Sequence, residues 1–179
     1  MLRLMLLRHA KTERDATSGK DRDRRLDPRG RDDAPVMAAW MADNGYRADL
    51  ALVSTATRAQ ETWALVAPVM PHCLVESVDE LYHAGATELL GIIRDAAATA
   101  PRSLLIVAHN PGLHELALTL PARGDKAGLR ALINNLPTTG LAVIDFDIED
   151  WTEVSFRTGT LTQFKSPKLL QQPFASDTD

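Results

Sequence analysis

Cysteine is nearly missing from this 179-residue chain: Cys73 stands alone, so no internal disulfide can form and a reducing compartment is expected. The residue sits in the short apolar run Cys73–Val75, where a buried thiol serves as a small apolar side chain. Long apolar runs are missing too, and nothing approaches the roughly 18 consecutive residues of a membrane helix. The opening run Met1–Leu7 leads straight into Arg8 and His9 without a small-residue cleavage site, so it predicts a strand and not a secretory signal. A cytoplasmic location is the expectation. Positive charge is not in excess either: 20 Lys and Arg stand against 24 Asp and Glu, a net charge of -4. Nucleic acid or an acidic membrane held through a diffuse basic field is thereby excluded, though a local basic pocket is not. No spaced set of His, Cys and carboxylate suggests zinc, so neither a metal nor another cofactor is expected.

What the chain does have is 45% apolar and 25% charged residues, the balance of an ordinary globular protein. Its length suits one domain over residues 1–179 with a core large enough to stand without staples, residues 171–179 forming a loose tail.

Strand and helix signals alternate along it. Leu2–Leu7 reads as a strand buried on both faces, Asp49–Ser54 as a second, Leu74–Val78 as a third and Leu104–Val107 as the most apolar. Between them, Val36, Met37, Trp40 and Met41 mark one helix ending near Asn44-Gly45. Pro35 allows that helix to start from an Asp33 cap or earlier, near Pro28, and the earlier start is preferred. Thr57 with Gln60 reads as a capping box opening a helix through Val66, and Leu89, Leu90, Ile92, Ile93, Ala96 and Ala97 share one apolar helical face. After a helix near Leu113–Leu120 and a polar stretch, Leu141–Phe146 reads as a strand. Glu153–Arg157 and Thr160–Phe164 read as two more, paired antiparallel around Thr158-Gly159. The pattern predicts an α/β fold, a three-layer α/β/α sandwich on a mostly parallel sheet with an antiparallel edge.

In such sheets ligands bind beyond the carboxyl ends of the strands. His9 follows the first strand beside Arg8, Arg58 opens the helix after the second, and His109 ends the most apolar strand at a Pro111-Gly112 turn. These four cationic or potentially cationic groups repel one another if left alone, and a polyanion relieves them. The planar fork of arginine matches phosphate oxygens in pairs, and a helix N-terminus adds partial positive charge at Arg58. The inferred ligand is a phosphoryl group.

Three separated strings carry a resemblance: Leu6-Leu7-Arg8-His9-Ala10-Lys11, Ser54-Thr55-Ala56-Thr57-Arg58-Ala59-Gln60-Glu61-Thr62 and Val107-Ala108-His109-Asn110-Pro111-Gly112. In order and spacing the chain resembles the histidine phosphatase superfamily, with its phosphoglycerate mutase-like fold. The short length and the His109–Gly112 turn look most like the SixA-type phosphohistidine phosphatases. Ala10 departs from the family signature, which most often has glycine there, and its methyl is expected to restrict the backbone.

The resemblance implies a metal-independent phosphatase in which His9 attacks phosphorus in line, giving a phosphohistidine that water hydrolyses, while Arg8, Arg58 and His109 grip the oxygens. An alcohol leaving group needs a proton donor, for which Glu80 is the first candidate, with Asp79 and His83 behind it. Lys11 is a candidate phosphate contact from the loop after His9. A phosphorylated protein, with phosphohistidine as the leaving imidazole, is the preferred substrate. A small-molecule phosphomonoesterase of the same superfamily is the alternative, and a non-catalytic phosphoprotein-binding module the reading from another class. Residues Lys20–Asp33 alternate in charge and read as a solvated loop and helix start. His72, His83 and His114 lack motif support as pocket residues, and Trp40 and Trp63 are assigned to the core.

Overall fold

A computed structural model describes residues 1–172, and the tail expected at 171–179 falls, beyond Gln172, outside the described residues. The strands are β1 (Leu2–Arg8), β2 (Leu50–Ser54), β3 (Leu74–Val78), β4 (Ser103–Ala108), β5 (Pro121–Gly124), β6 (Leu141–Phe146) and β7 (Gly159–Lys165). The helices are α1 (Pro28–Asp43), α2 (Thr57–Val66), α3 (Ala86–Asp95), α4 (Gly112–Thr119), α5 (Lys126–Asn134) and α6 (Pro167–Gln171).

The strands form one seven-stranded sheet in the order β3-β2-β4-β1-β6-β7-β5. The first four in that order run parallel, and antiparallel pairing is confined to the side where β6 meets β1 and β7. Alternation along β1 divides the core. Leu2, Leu4 and Leu6 pack with Leu89, Ile93, Leu113, Leu116 and Leu132 from α3, α4 and α5 on one face. Met5 and Leu7 pack with Met37 and Met41 of α1 and Val66 of α2 on the other, so the sheet is covered on both sides as the uninterrupted apolar runs require.

Helix α1 starts at Pro28, where the missing N–H costs nothing, and Asp27 caps it by accepting from the Gly30 amide at 2.8 Å. Asp33 is therefore an interior helical residue and not the cap. A Cβ at Gly30 would lie 2.1 Å from the Lys11 carbonyl oxygen, so only glycine lets α1 approach the loop that follows His9. The capping box expected at α2 does not form: Ala56 precedes the helix without a side-chain cap. Gln60 instead donates to the Ser54 carbonyl at 2.9 Å and to Ser77 Oγ at 3.1 Å, fastening the end of β2 to β3.

Three further readings change. Glu153–Arg157 is no strand. Trp151–Glu153 is a 3-10 turn and Arg157 has a φ of 63°, so the alternation there places single apolar side chains against the sheet's lower end. The Trp151 indole donates to the Pro101 carbonyl at 2.6 Å and Arg94 donates to the Val154 carbonyl at 2.9 Å. The polar stretch after α4 contains the four-residue β5 and the Asp125-capped α5, which buries Leu132. Cys73 is only half-buried, and Leu74 and Val75 are 62% and 50% exposed, because β3 is an outermost strand and not a covered one.

Candidate active site

Parallel pairing places the ends of β1, β2 and β4 on one edge of the sheet, with Arg8 opposite Ala108. The ladder continues one residue further, because the His9 amide donates to the Ala108 carbonyl at 3.1 Å. From the far side, the Thr139 amide donates to the carbonyls of both Arg8 and His9, at 3.1 and 3.0 Å, and the Arg8 amide donates to the Gly140 carbonyl at 3.0 Å. The backbone that carries the expected nucleophile is thus held from both neighbours.

His9 is 5% exposed, and its Nδ1 lies 2.8 Å from the Ala10 carbonyl oxygen. A carbonyl can only accept, so Nδ1 carries the proton and Nε2 keeps its lone pair. His109 stands beside it with ring centroids 5.1 Å apart, its Nε2 2.7 Å from Ser54 Oγ. If the serine hydroxyl donates there, His109 Nδ1 is left as an N–H donor.

The guanidinium groups are each held by their outer nitrogens. Arg8 Nη1 donates to the Leu136 carbonyl at 3.2 Å. Arg58 Nη1 donates to the Asp21 carbonyl at 2.8 Å and Nη2 to Asp21 Oδ2 at 3.1 Å. What remains is informative: six buried side-chain nitrogen and oxygen atoms among the described residues have no hydrogen-bond partner, and Arg8 Nε, Arg58 Nε and His109 Nδ1 are three of them. The others are Arg24 Nε, which faces Asp21 in an ion pair only, Asn110 Oδ1 and Thr139 Oγ1, on residues of the same neighbourhood. Buried donors are rarely left unpaired, so a cluster of them on one edge is the mark of a site for an acceptor.

Burial, above all, pushes the His9 imidazole down to about 3, opposed by the bond to Ala10 and reinforced by the charges of His109, Arg58 and Arg8. Burial first and the Arg58 charge next push His109 to about 3 as well. Arg8 is lowered by burial and then by Arg58. Near neutral pH both imidazoles are uncharged, so the cluster carries two positive charges and not four, and His9 is in its nucleophilic form.

This has a consequence for stability. Between pH 6.5 and 3 the unfolded histidines hold protons that the folded ones do not, so stability falls as pH drops through that window and the loss is complete below the folded value. From pH 7 to 5 each imidazole contributes about 2 kcal/mol to the decline. Urea unfolding at both pH values is expected to show a His109→Asn variant losing correspondingly less than the wild type; equal losses would contradict the assignment.

Other sequence candidates are placed elsewhere. Glu80 lies in the 3-10 turn Asp79–Leu81 and lines a cleft of about 360 Å³ with Leu52, Glu76, Val78, Ile92 and Asp95. Arg8, His9, Arg58 and His109 do not line that cleft, so the structure does not bring Glu80 to them: the turn sends it outward while Tyr82 points inward. Asp79 is occupied by Arg22 at 2.5 Å and Thr55 at 2.6 Å. Lys11 is exposed, and its side chain has no hydrogen bond or ion pair among the described residues; its backbone carbonyl accepts from the Asp27 amide at 3.0 Å. Ala10 is fully buried against Leu26 and Ala34, and it is not among the residues with positive φ, so the methyl is accommodated without strain.

Several residues around the site escaped the sequence reading. Asp21 bridges Arg58, Arg24 at 3.2 Å and the Tyr82 hydroxyl at 2.5 Å. Its carboxyl is held below the usual range first by that hydroxyl and also by the two guanidinium charges. Arg22 also reaches Thr55, and both Arg22 and Arg58 sit over the Tyr82 ring, at 5.2 and 5.6 Å from its centroid. Thr62 accepts from the Ala10 amide at 2.9 Å and donates to the Arg58 carbonyl at 2.7 Å; its spacing four residues after Arg58 is a signal that could have revealed it.

Residues 4–88 match the family model described as the histidine phosphatase superfamily, branch 1. An uncharacterised protein of Mycobacterium leprae is 30% identical over 149 residues, which is 83% of this chain and 89% of that protein. The chain belongs to the histidine phosphatase superfamily. Among solved members, a candidate phosphohistidine phosphatase SixA from Agrobacterium tumefaciens is 33% identical with a TM-score of 0.76, over 93% of this chain and 98% of that one. Another, from Nakamurella multipartitia, is 25% identical with a TM-score of 0.78, over 93% of this chain and 96% of that one. This histidine phosphatase is therefore SixA-like, with phosphatase chemistry as its activity class. Among its described residues no helix is long and apolar enough to cross a membrane, and no group of three or more His, Cys, Asp or Glu could hold a metal ion.

Proposed function

We propose that this histidine phosphatase transfers a phosphoryl group from phosphohistidine in a protein to Nε2 of His9 and then to water. The observation that carries the reading is the set of buried nitrogens without a hydrogen-bond partner, Arg8 Nε, Arg58 Nε and His109 Nδ1, around a histidine whose other nitrogen is fixed by Ala10. As Nε2 attacks phosphorus, charge redistributes over the equatorial oxygens, and donors already in place stabilise it without reorganisation. The two guanidinium groups supply the positive charge for which many phosphoryl-transfer sites use magnesium, so the reaction is assigned as metal-independent.

A protein-borne phosphohistidine is favoured for two reasons. Imidazole departs more readily than an alkoxide, and the carboxylates nearest the site are engaged by arginines or, for Glu80, directed elsewhere. The SixA structures similar to this chain bear the same substrate in their names. The single Cys73 fits a cytoplasmic setting. The deciding experiment compares a phosphohistidine protein, a phosphoserine protein and small phosphate esters, with wild type and His9→Ala. Highest kcat/KM on phosphohistidine is expected; higher values on small esters would transfer the assignment to a phosphomonoesterase, and binding without turnover of any of them would make the chain a binding module.

A further inference from the structure

We propose that His83 is the proton donor to the leaving group, a role that rests on His9 being the phosphoryl acceptor. In-line attack by His9 drives the leaving atom away on the opposite side of phosphorus, and that atom needs a proton if it is a basic oxygen or nitrogen. The protonatable groups around the site can be taken in turn. Asp21 is bound to Arg58, Arg24 and the Tyr82 hydroxyl, Asp79 to Arg22 and Thr55, and Glu80 lines the separate cleft beyond β2 and β3.

One flank is different. A cavity of about 130 Å³ is lined by Tyr82, His83 and Gly85 on one wall and by His109, Gly112 and Glu115 on the other. It shares His109 with the anion site, so it adjoins the place where phosphorus must sit. It is narrow because the chains come together there: a Cβ at Gly112 would lie 1.9 Å from the Ala84 carbonyl oxygen. The His83 ring packs on Tyr82 with centroids 3.9 Å apart, and Tyr82 meets the His109 ring edge-on at 5.6 Å. His83 is close enough for its charge to act on His109. Its ring has no hydrogen-bond partner among the described residues and it is open to solvent. Glu115 lines the same cavity from α4, but of the two only His83 packs on Tyr82, whose ring meets that of His109.

The step balances without another reactant. The Nε2 lone pair of His9 forms the N–P bond, the bond from phosphorus to the leaving atom breaks with its electron pair on that atom, and the His83 imidazolium gives it a proton. In the second half water forms the new O–P bond, the N–P pair returns to Nε2, and neutral His83 accepts the proton that water loses.

The test reads the first half alone, as the single-turnover rate of phosphoenzyme formation from p-nitrophenyl phosphate and from glycerol 2-phosphate. Nitrophenolate leaves without a proton and an alkoxide does not. In His83→Ala the ratio of the two rates is expected to rise about 10²-fold over wild type, and Glu115→Gln is expected to leave it unchanged. An unchanged ratio in His83→Ala, or an equal rise in Glu115→Gln with none in His83→Ala, overturns the role of His83 while leaving the His9 intermediate intact. Failure of the wild type to form any phosphoenzyme overturns both.

Discussion

Replacement of His9 by alanine is expected to lower kcat by some 10⁴- to 10⁶-fold, the scale seen when a covalent nucleophile is removed. The estimate follows from the number of alternatives at the strand ends. His109 already has Nε2 at Ser54, and its remaining nitrogen serves as a donor in the present assignment, so no second nucleophile stands ready. The acid-labile, alkali-stable phosphoryl label that wild type acquires in a quenched turnover is expected to be absent. Because Arg8, Arg58 and His109 are untouched, tungstate should still bind within a few-fold of wild type, which separates lost chemistry from lost folding. Turnover equal to wild type would end the covalent reading.

Arg58→Ala is expected to reduce kcat/KM by about 10²- to 10³-fold, in line with the removal of one preorganised donor to a developing oxyanion. Here the effect has two parts. The buried Nε disappears, and Asp21 loses the charge that it faces across 3.1 Å, so a carboxylate now stands unopposed beside the anion's seat. A double variant, Arg58→Ala with Asp21→Asn, should therefore recover part of the loss in affinity for tungstate, and the non-additivity measures the coupling. Arg58→Lys is not expected to rescue, because an ammonium cannot satisfy the Asp21 carbonyl and carboxylate while presenting a further donor inward. Additive losses in the double variant would show that Asp21 has no electrostatic influence on the site.

The four central residues were legible because each sits at a boundary that local sequence marks well. Arg8 and His9 close an apolar run, Arg58 opens a helix, and His109 precedes Pro111-Gly112. Once the runs are taken as parallel strands, shared polarity brings their ends to one edge with no knowledge of side-chain contacts. Asp21 and Arg22 were not legible for the opposite reason. A charge in the segment Lys20–Asp33 looks the same whether it meets solvent or a distant side chain, and Asp21 and Arg58 lie 37 residues apart while Arg22 and Asp79 lie 57 apart. Glu80 lines the cleft beyond β2 and β3 and not the cluster because a 3-10 turn changes a side chain's direction with every residue, and sequence does not say which of three successive residues faces inward. Short β5 and the Glu153–Arg157 segment mark the same limit: alternation over four or five residues does not separate a ladder strand from a turn that buries one side chain.

The segment from Leu136 to Gly140 binds the Arg8 side chain, the Asn110 amide and the backbone of both Arg8 and His9. The backbone next to the nucleophile is thus shaped by a segment far along the chain, Leu136 lying 128 residues after Arg8. During synthesis His9 is therefore made well before the Leu136–Gly140 segment that holds it, and the phosphate seat is complete only once that segment is in place.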